Sequence, residues 1–511
     1  MMKAKPMQKV KTFLEKTPNA LLCLLGAVVF LAGFYFLTSR TPLNKIWLPT
    51  TMNNDEVLYN RQVVSVITHG GPQGYFGYQE GTADIGRYGT WGPLLIWAYA
   101  LPGFLFGSSV NVVLWCNLLF ITLGIAAFAR SAKLNWWQCI VLCAGLFAIA
   151  MPIRSCISGA SEAMHYMLAF LIVGSAAALH RTDKTGWLAV CAAACAVETI
   201  FRPYALLFWV FPLTAVWQNK RRRNVCFITA AAGFGVSLFA MAKLAAPYFS
   251  DGGMDFDGVQ LLLQGHPIAA IRYEWIRATA LLGNAWLYDI WPTIKGGKTY
   301  IGGGCVTFLV VVLAAVGCLL WDKRKGRPVV LKACALFCSA AIALVLLTMY
   351  NIDPRHMMLL AILLLGAIVV EDAAPAVVWL PILVVLLLPM NFERGSQPEM
   401  NEVMAAQMTV VEDALAADVQ AADADPWDNT LAYTYDDGVF HGYLYAVPDG
   451  MGIEFDKNSY LWDAENPIYS RYVMCGHGTR VEERLLAENW QELVSTEDLV
   501  IYKRSGTHLE G

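Results

Sequence analysis

About eleven apolar runs, each long enough to cross a bilayer, limit this chain more than any other feature. They fall near 20–37, 110–129, 136–152, 163–180, 187–201, 204–217, 225–247, 301–321, 329–350, 357–370 and 375–390. Over 511 residues, 57% are hydrophobic and only 15% charged, too few charges to cover a water-soluble fold of this size. The chain is therefore read as all-α and polytopic, with lipid solvating most of its surface. The thirteen cysteines do not change this reading. Nearly all sit inside apolar runs, where Cys acts as a small hydrophobe, and only Cys475 lies in the polar C-terminal segment.

Charge sets the expected topology. Lys3, Lys5, Lys9, Lys11 and Lys16 precede the run from Ala20 to Leu37. That run is too long for the core of a cleaved leader and lacks a small-residue cleavage site, so it is read as a retained first span. The stretch 91–107, WGPLLIWAYALPGFLFG, is apolar but short and interrupted by Pro102 and Gly103. If it lies in the interface, the basic loops at 130–133, 180–184, 219–223 and 322–327 all share the side of the N-terminus. The positive-inside rule favours that arrangement. It predicts a cytoplasmic N-terminus, external loops at 39–109 and 250–299, and an extracytoplasmic tail. The expected domains are a transmembrane unit at 1–390 and a soluble α/β unit at 391–511. In the tail, an acidic helical stretch from Glu399 to Asp423 precedes β-like runs TLAYTY, GYLYAV and LVIYK, with a helix VEERLLAENW before the last. The tail aromatics, such as Tyr433 and Tyr443, are expected in its core rather than stacked on a glycan.

Several ionisable residues fall at the predicted outer face. Asp55 and Glu56 open the first external loop, as the first turn of a helix prefers. Asp55 also shares helical spacing with Tyr59, Val63 and Val66, a position whose desolvation suits general-base work. Glu162 lies in a short external turn before a span. Arg87, Arg202, Lys243, Arg355 and His356 are basic residues on the side that should be poor in them. An i,i+4 ion pair between Glu198 and Arg202 is the structural alternative for that arginine.

The order of these features resembles the GT-C superfamily of membrane glycosyltransferases, particularly its protein O-mannosyltransferase and aminoarabinose-transferase branch. The matching pieces are the basic N-terminus and first span, Asp55-Glu56, the interfacial segment ending in Leu105-Phe106-Gly107, Glu162, Arg202, and Arg355-His356. Glu162 stands where Asp is commoner, and His356 where Tyr is usual. The resemblance covers roughly 15–390 and implies an inverting transfer of sugar from a polyprenyl-phosphate donor to an acceptor hydroxyl at the outer membrane face. It implies Asp55, Glu56 and Glu162 as the catalytic carboxylates, with Arg87, Arg202, Lys243, Arg355 and His356 around the lipid-linked donor. The acceptor would be a glycan, lipid or protein; membrane lipids surround the chain, and no nucleic acid is expected. No cofactor is required, although a divalent metal stays open because some relatives hold one on acidic loops. A transporter or flippase of envelope precursors, a non-catalytic envelope scaffold, and a polymerase or ligase on the same carriers are the competing classes. A transporter should show inverted repeats and ionisable groups near mid-membrane.

Overall fold

The computed structural model describes residues 18–505, except 51–53, 90–91, 246–254, 296–302, 372–398, 422, 435–438 and 457–458. Among these residues, seven helices are long and apolar enough to span a membrane. They are Asn19–Ser39, Val112–Ala132, Glu162–Thr182, Lys220–Lys243, Gly304–Arg324, Val330–Met349 and Pro354–Glu371. The chain is an integral membrane protein. Pro354–Glu371 is the centre of the bundle, for every residue from His356 to Val369 is buried. A helix apolar on all sides can only be satisfied there or in lipid. It packs on Glu162–Thr182, Gly304–Arg324 and Val330–Met349.

Three other expected spans depart from a single long helix: two are broken and one is a helix of 17 residues. The run 136–152 breaks where Ile149 turns extended, leaving Trp136–Ala148 and Ala150–Cys156. The run 187–201 is Thr185–Phe201, and 204–217 is a 3-10 helix, Pro203–Trp209, continued by Val210–Val216. Pro203 explains the join between them. A residue before proline is driven out of the helical region, and Arg202 is extended, at φ −137° and ψ 103°. The eleventh run, 375–390, lies outside the described residues. The interrupted segment 91–107 forms only the short helix Pro93–Gly103. All thirteen cysteines are buried and unbridged.

The soluble part is a six-stranded mixed sheet in the order β1-β3-β2-β4-β6-β5. Its strands are β1 (Tyr75–Tyr78), β2 (Thr430–Thr434), β3 (Gly452–Asp456), β4 (Tyr472–Cys475), β5 (Gln491–Ser495) and β6 (Val500–Lys503). The first four are parallel neighbours, while β6 pairs antiparallel with β4 and β5. TLAYTY and LVIYK are strands, but GYLYAV is not. It forms the 3-10 helix His441–Ala446, folded over the sheet so that Tyr443 and Leu444 join the core beside Tyr433. The aromatic run alternates well enough for a strand, but its backbone is spent on local turns.

Strand β1 comes from the first loop, so the sheet crosses the boundary drawn at 390/391. The same loop supplies helix Asn54–His69, whose Val57 and Leu58 are buried among Tyr443, Leu444 and Met404. Arg61 donates to the carbonyls of Leu444 (3.2 Å), Pro448 (3.0 Å) and Val447. His69 meets Asp449 at 3.0 Å. The tail thus grips the helix whose first turn carries Asp55 and Glu56.

Strand β1 also lies against a buried carboxyl. Gly77 faces Glu454 in register, and a Cβ at 77 would come within 2.0 Å of its Oε1, so only glycine fits there. Burial, with the charge of Glu80 added, pushes Glu454 up to about 9. Burial also raises Glu80 to about 7, against hydrogen bonds from Ser470 and the backbone of Tyr469. Both folded values exceed the ordinary carboxylate value, so the folded sheet binds protons that the undocked chain releases. Its stabilisation is complete below about pH 4 and declines as pH rises towards 9, by on the order of a few kcal/mol. Hydrogen exchange at Tyr75–Tyr78, corrected for intrinsic rates, should lose protection between pH 5 and 9. Glu454→Gln should flatten most of that dependence. A wild-type profile already flat would remove the proposed linkage.

Candidate functional site

Five of the eight predicted residues, Asp55, Glu162, Arg202, Arg355 and His356, converge at one end of the bundle in two charged groups. Asp55 stands in the first turn of Asn54–His69, where the helix favours an anion. Arg355, at the start of the central helix, donates through Nη1 to Asp55 Oδ2 at 2.9 Å. Its other edge binds Asp353, with Nη2 to Oδ2 at 3.1 Å. Burial would raise Asp353, but the Arg355 charge and His356 hold it down to about 2. It therefore stays an anion and fixes the guanidinium plane. Asp55 and Arg355 keep about a fifth of their side-chain surface exposed, so a ligand can reach them.

The second group is drier. Glu162 and Arg202 face each other at 3.6 Å and are about 5% exposed. Arg202 also donates to Tyr204 Oη and to His356 Nδ1, both at 3.0 Å. Arginine has no acceptor, so Nδ1 must be the accepting nitrogen of His356. Glu162 Oε2 has no hydrogen-bond partner among the described residues. Tyr59 links the groups, since it lies within electrostatic reach of Asp55, Glu162, Arg202 and Arg355 together. The second loop closes over this end: Arg277 pairs with Asp255 at 3.0 Å and donates to the carbonyl of Tyr350. Tyr350 in turn packs edge-on against His356.

Not every candidate enters the cluster. Glu56 is only 2% exposed, bound to Arg154 and to the backbone N–H of Gly159 at 3.3 Å. Gly159 approaches so closely that a Cβ would lie 2.7 Å from the Glu56 carbonyl oxygen. Glu56 is thus a fastening between the first loop and the segment before Glu162. Arg87 pairs with Asp84 at 3.7 Å on an exposed loop, and Lys243 is exposed at the end of its helix. The i,i+4 pair between Glu198 and Arg202, the structural alternative for that arginine, does not form as a side-chain ion pair. Glu198 binds His165 Nδ1 at 2.9 Å, and Arg202, turned away by Pro203, takes Glu162 instead. Sequence reasoning missed Arg154, Asp353, Tyr204 and Tyr350. Asp353 had a visible signal, standing two residues before Arg355 and directly before Pro354.

A divalent cation needs several oxygen donors, six or more for calcium or magnesium. Among the described residues no three His, Cys, Asp or Glu side chains come together. Asp55 and Glu162 each face a guanidinium, which repels a cation. Among the described residues, the carboxylates at this end of the bundle do not form a metal-binding group.

No protein-family model matches the sequence, and no curated protein matches it. Solved structures do. The oligosaccharyltransferase of Archaeoglobus fulgidus in its apo form is 12% identical, with 91% of this chain and 70% of that chain covered at a TM-score of 0.50. ArnT from Cupriavidus metallidurans, bound to undecaprenyl phosphate, is 13% identical, with 94% and 97% covered at a TM-score of 0.48. Identities this low carry information about architecture alone. The chain therefore shares its overall membrane architecture with the oligosaccharyltransferase of Archaeoglobus fulgidus in its apo form.

Proposed function

We propose that the chain is an inverting glycosyltransferase that moves a sugar from a polyprenyl-phosphate donor to an acceptor hydroxyl at the outer membrane face. The observation that carries this reading is the pairing of an accessible carboxylate with an accessible guanidinium, Asp55 and Arg355, beside the buried Arg202. Asp55 takes the acceptor proton as the hydroxyl oxygen attacks the anomeric carbon. The bond to phosphate breaks on the opposite face of the sugar. The departing phosphate carries its own negative charge, so no second carboxyl acid is needed, unlike in glycosidases. What lowers the barrier is positive charge on the phosphate oxygens. Arg355 and Arg202 supply it in a site partly shielded from water. Arg87 and Lys243, away from the cluster, are assigned to donor approach.

The charge asymmetry of the loops supports a cytoplasmic N-terminus and an extracytoplasmic tail. The unit at 1–390 would be catalytic, and the unit at 391–511 would hold the Asp55 helix. Transport fits the charges less well. His165–Glu198 and Lys332–Asp322 lie within about a turn of their helix ends, away from mid-bilayer where a relay belongs. Purified protein in lipid should turn over one member of a panel of radiolabelled polyprenyl-phosphate sugars. Failure to bind any of them would defeat the assignment.

A further inference from the structure

A second site lies at the other end of the bundle. The helix Lys220–Lys243 runs about 36 Å, at roughly 1.5 Å per residue. Its end at Lys243 is the near one, because Ala245 bridges Tyr88 of the first loop. Lys220 is therefore on the far side. Here the 3-10 segment Pro203–Trp209 and the short Val210–Val216 helix leave a gap between Lys220–Lys243 and Val330–Met349. The gap is a cavity of about 840 Å³, within the size range of small-molecule sites. Trp209, Leu213, Trp217, Phe227 and Phe337 line it, with Thr214 and Gln218 among the few polar groups. Trp217, Phe227 and Phe337 are each about half exposed, so the cavity opens sideways to lipid. Its occupant has to be apolar and has to enter from the bilayer.

The rim carries uncompensated positive charge. Arg223 lies over the Trp217 ring at 5.2 Å and donates to the Trp217 carbonyl at 3.1 Å. Arg222 is held by Asp183 at 2.6 Å. Lys220 and Arg221 are exposed, and among the described residues neither they nor Arg223 form an ion pair. We propose that this groove binds an anionic glycerophospholipid, with an acyl chain in the cavity and the phosphate against Lys220, Arg221 and Arg223. A polar solute would not enter the apolar walls. A zwitterionic lipid would bring its own ammonium group up to the three cations at the rim, whereas a net-anionic headgroup would not, so a preference of at least about tenfold for the anionic lipid is expected. The site is independent of the sugar-transfer reading, because it shares no residue with the carboxylate cluster.

The test is native mass spectrometry of the delipidated full-length protein titrated with dioleoyl phosphatidylglycerol or dioleoyl phosphatidylcholine. Wild type should retain one phosphatidylglycerol about tenfold better than phosphatidylcholine. The triple variant Lys220→Gln, Arg221→Gln, Arg223→Gln should bring the two lipids level while the fold persists, since Lys220 and Arg221 are exposed and the half-buried Arg223 forms no ion pair among the described residues. Ala230→Leu with Ala231→Leu, which fills the cavity, should reduce retention of both. Equal retention by wild type, or a preference that survives the triple variant, would overturn the proposal. Undecaprenyl phosphate displacing phosphatidylglycerol at equal concentration would overturn it too, by giving the groove to the carrier lipid.

Discussion

Replacing Asp55 by Asn is expected to lower sugar transfer by about a thousandfold, in kcat rather than in donor affinity. The amide keeps the size of the carboxylate but cannot accept the acceptor proton. Arg355 would lose one partner and keep Asp353, which grips its other edge through Nε and Nη2. The fold and the phosphate contact should therefore survive, and the loss should appear in turnover. The measurement is release of labelled sugar at saturating donor, with donor binding measured in parallel. Transfer within about tenfold of wild type would remove Asp55 as the base. The structure then ranks what remains. Glu56 is sealed between Arg154 and Gly159, whereas Glu162 has a carboxylate oxygen with no partner among the described residues, so Glu162 would be next.

How much of this was legible beforehand depended on the range over which each signal acts. Spanning helices are written locally, as long apolar runs, and the seven long ones lie where the runs do. Breaks within a run were harder. Both are marked only indirectly, by prolines inside apolar runs: Pro203 drives Arg202 out of the helix, and Pro152 cannot bond to the Ala148 carbonyl, just before the extended Ile149. Strand β1 was unreadable for a different reason. YFGY is four residues long, and its partner β3 lies some 375 positions away, so only tertiary pairing makes it a strand. The site shows the same division. Residue types and the end of the bundle followed from charge on a side that should lack it. Which carboxylate met which guanidinium did not, because Asp55 and Arg355 are 300 residues apart. Glu198 and Arg202 have ideal helical spacing, yet the extended backbone at Arg202 takes its side chain elsewhere.

Arg202→Met should cost about 3–5 kcal/mol of stability, because it strands Glu162 as a buried, unpaired carboxylate. It also removes the donor shared by Tyr204 and His356. The fall should be visible as a lower apparent Tm of the purified protein. That result alone cannot separate a structural clamp from a group that handles phosphate. The double variant Arg202→Met, Glu162→Met does, since replacing both members of a buried ion pair with apolar residues is often neutral for folding. Its Tm should return close to wild type. If Arg202 neutralises the leaving phosphate, transfer should remain down by about a hundredfold or more in the refolded double variant. Recovery of transfer along with Tm would make Arg202 a clamp and leave Arg355 as the phosphate ligand. The burial of Arg202 favours the first outcome: a guanidinium held at low dielectric, whose ion pair among the described residues is with Glu162 at 3.6 Å, retains field for an incoming anion.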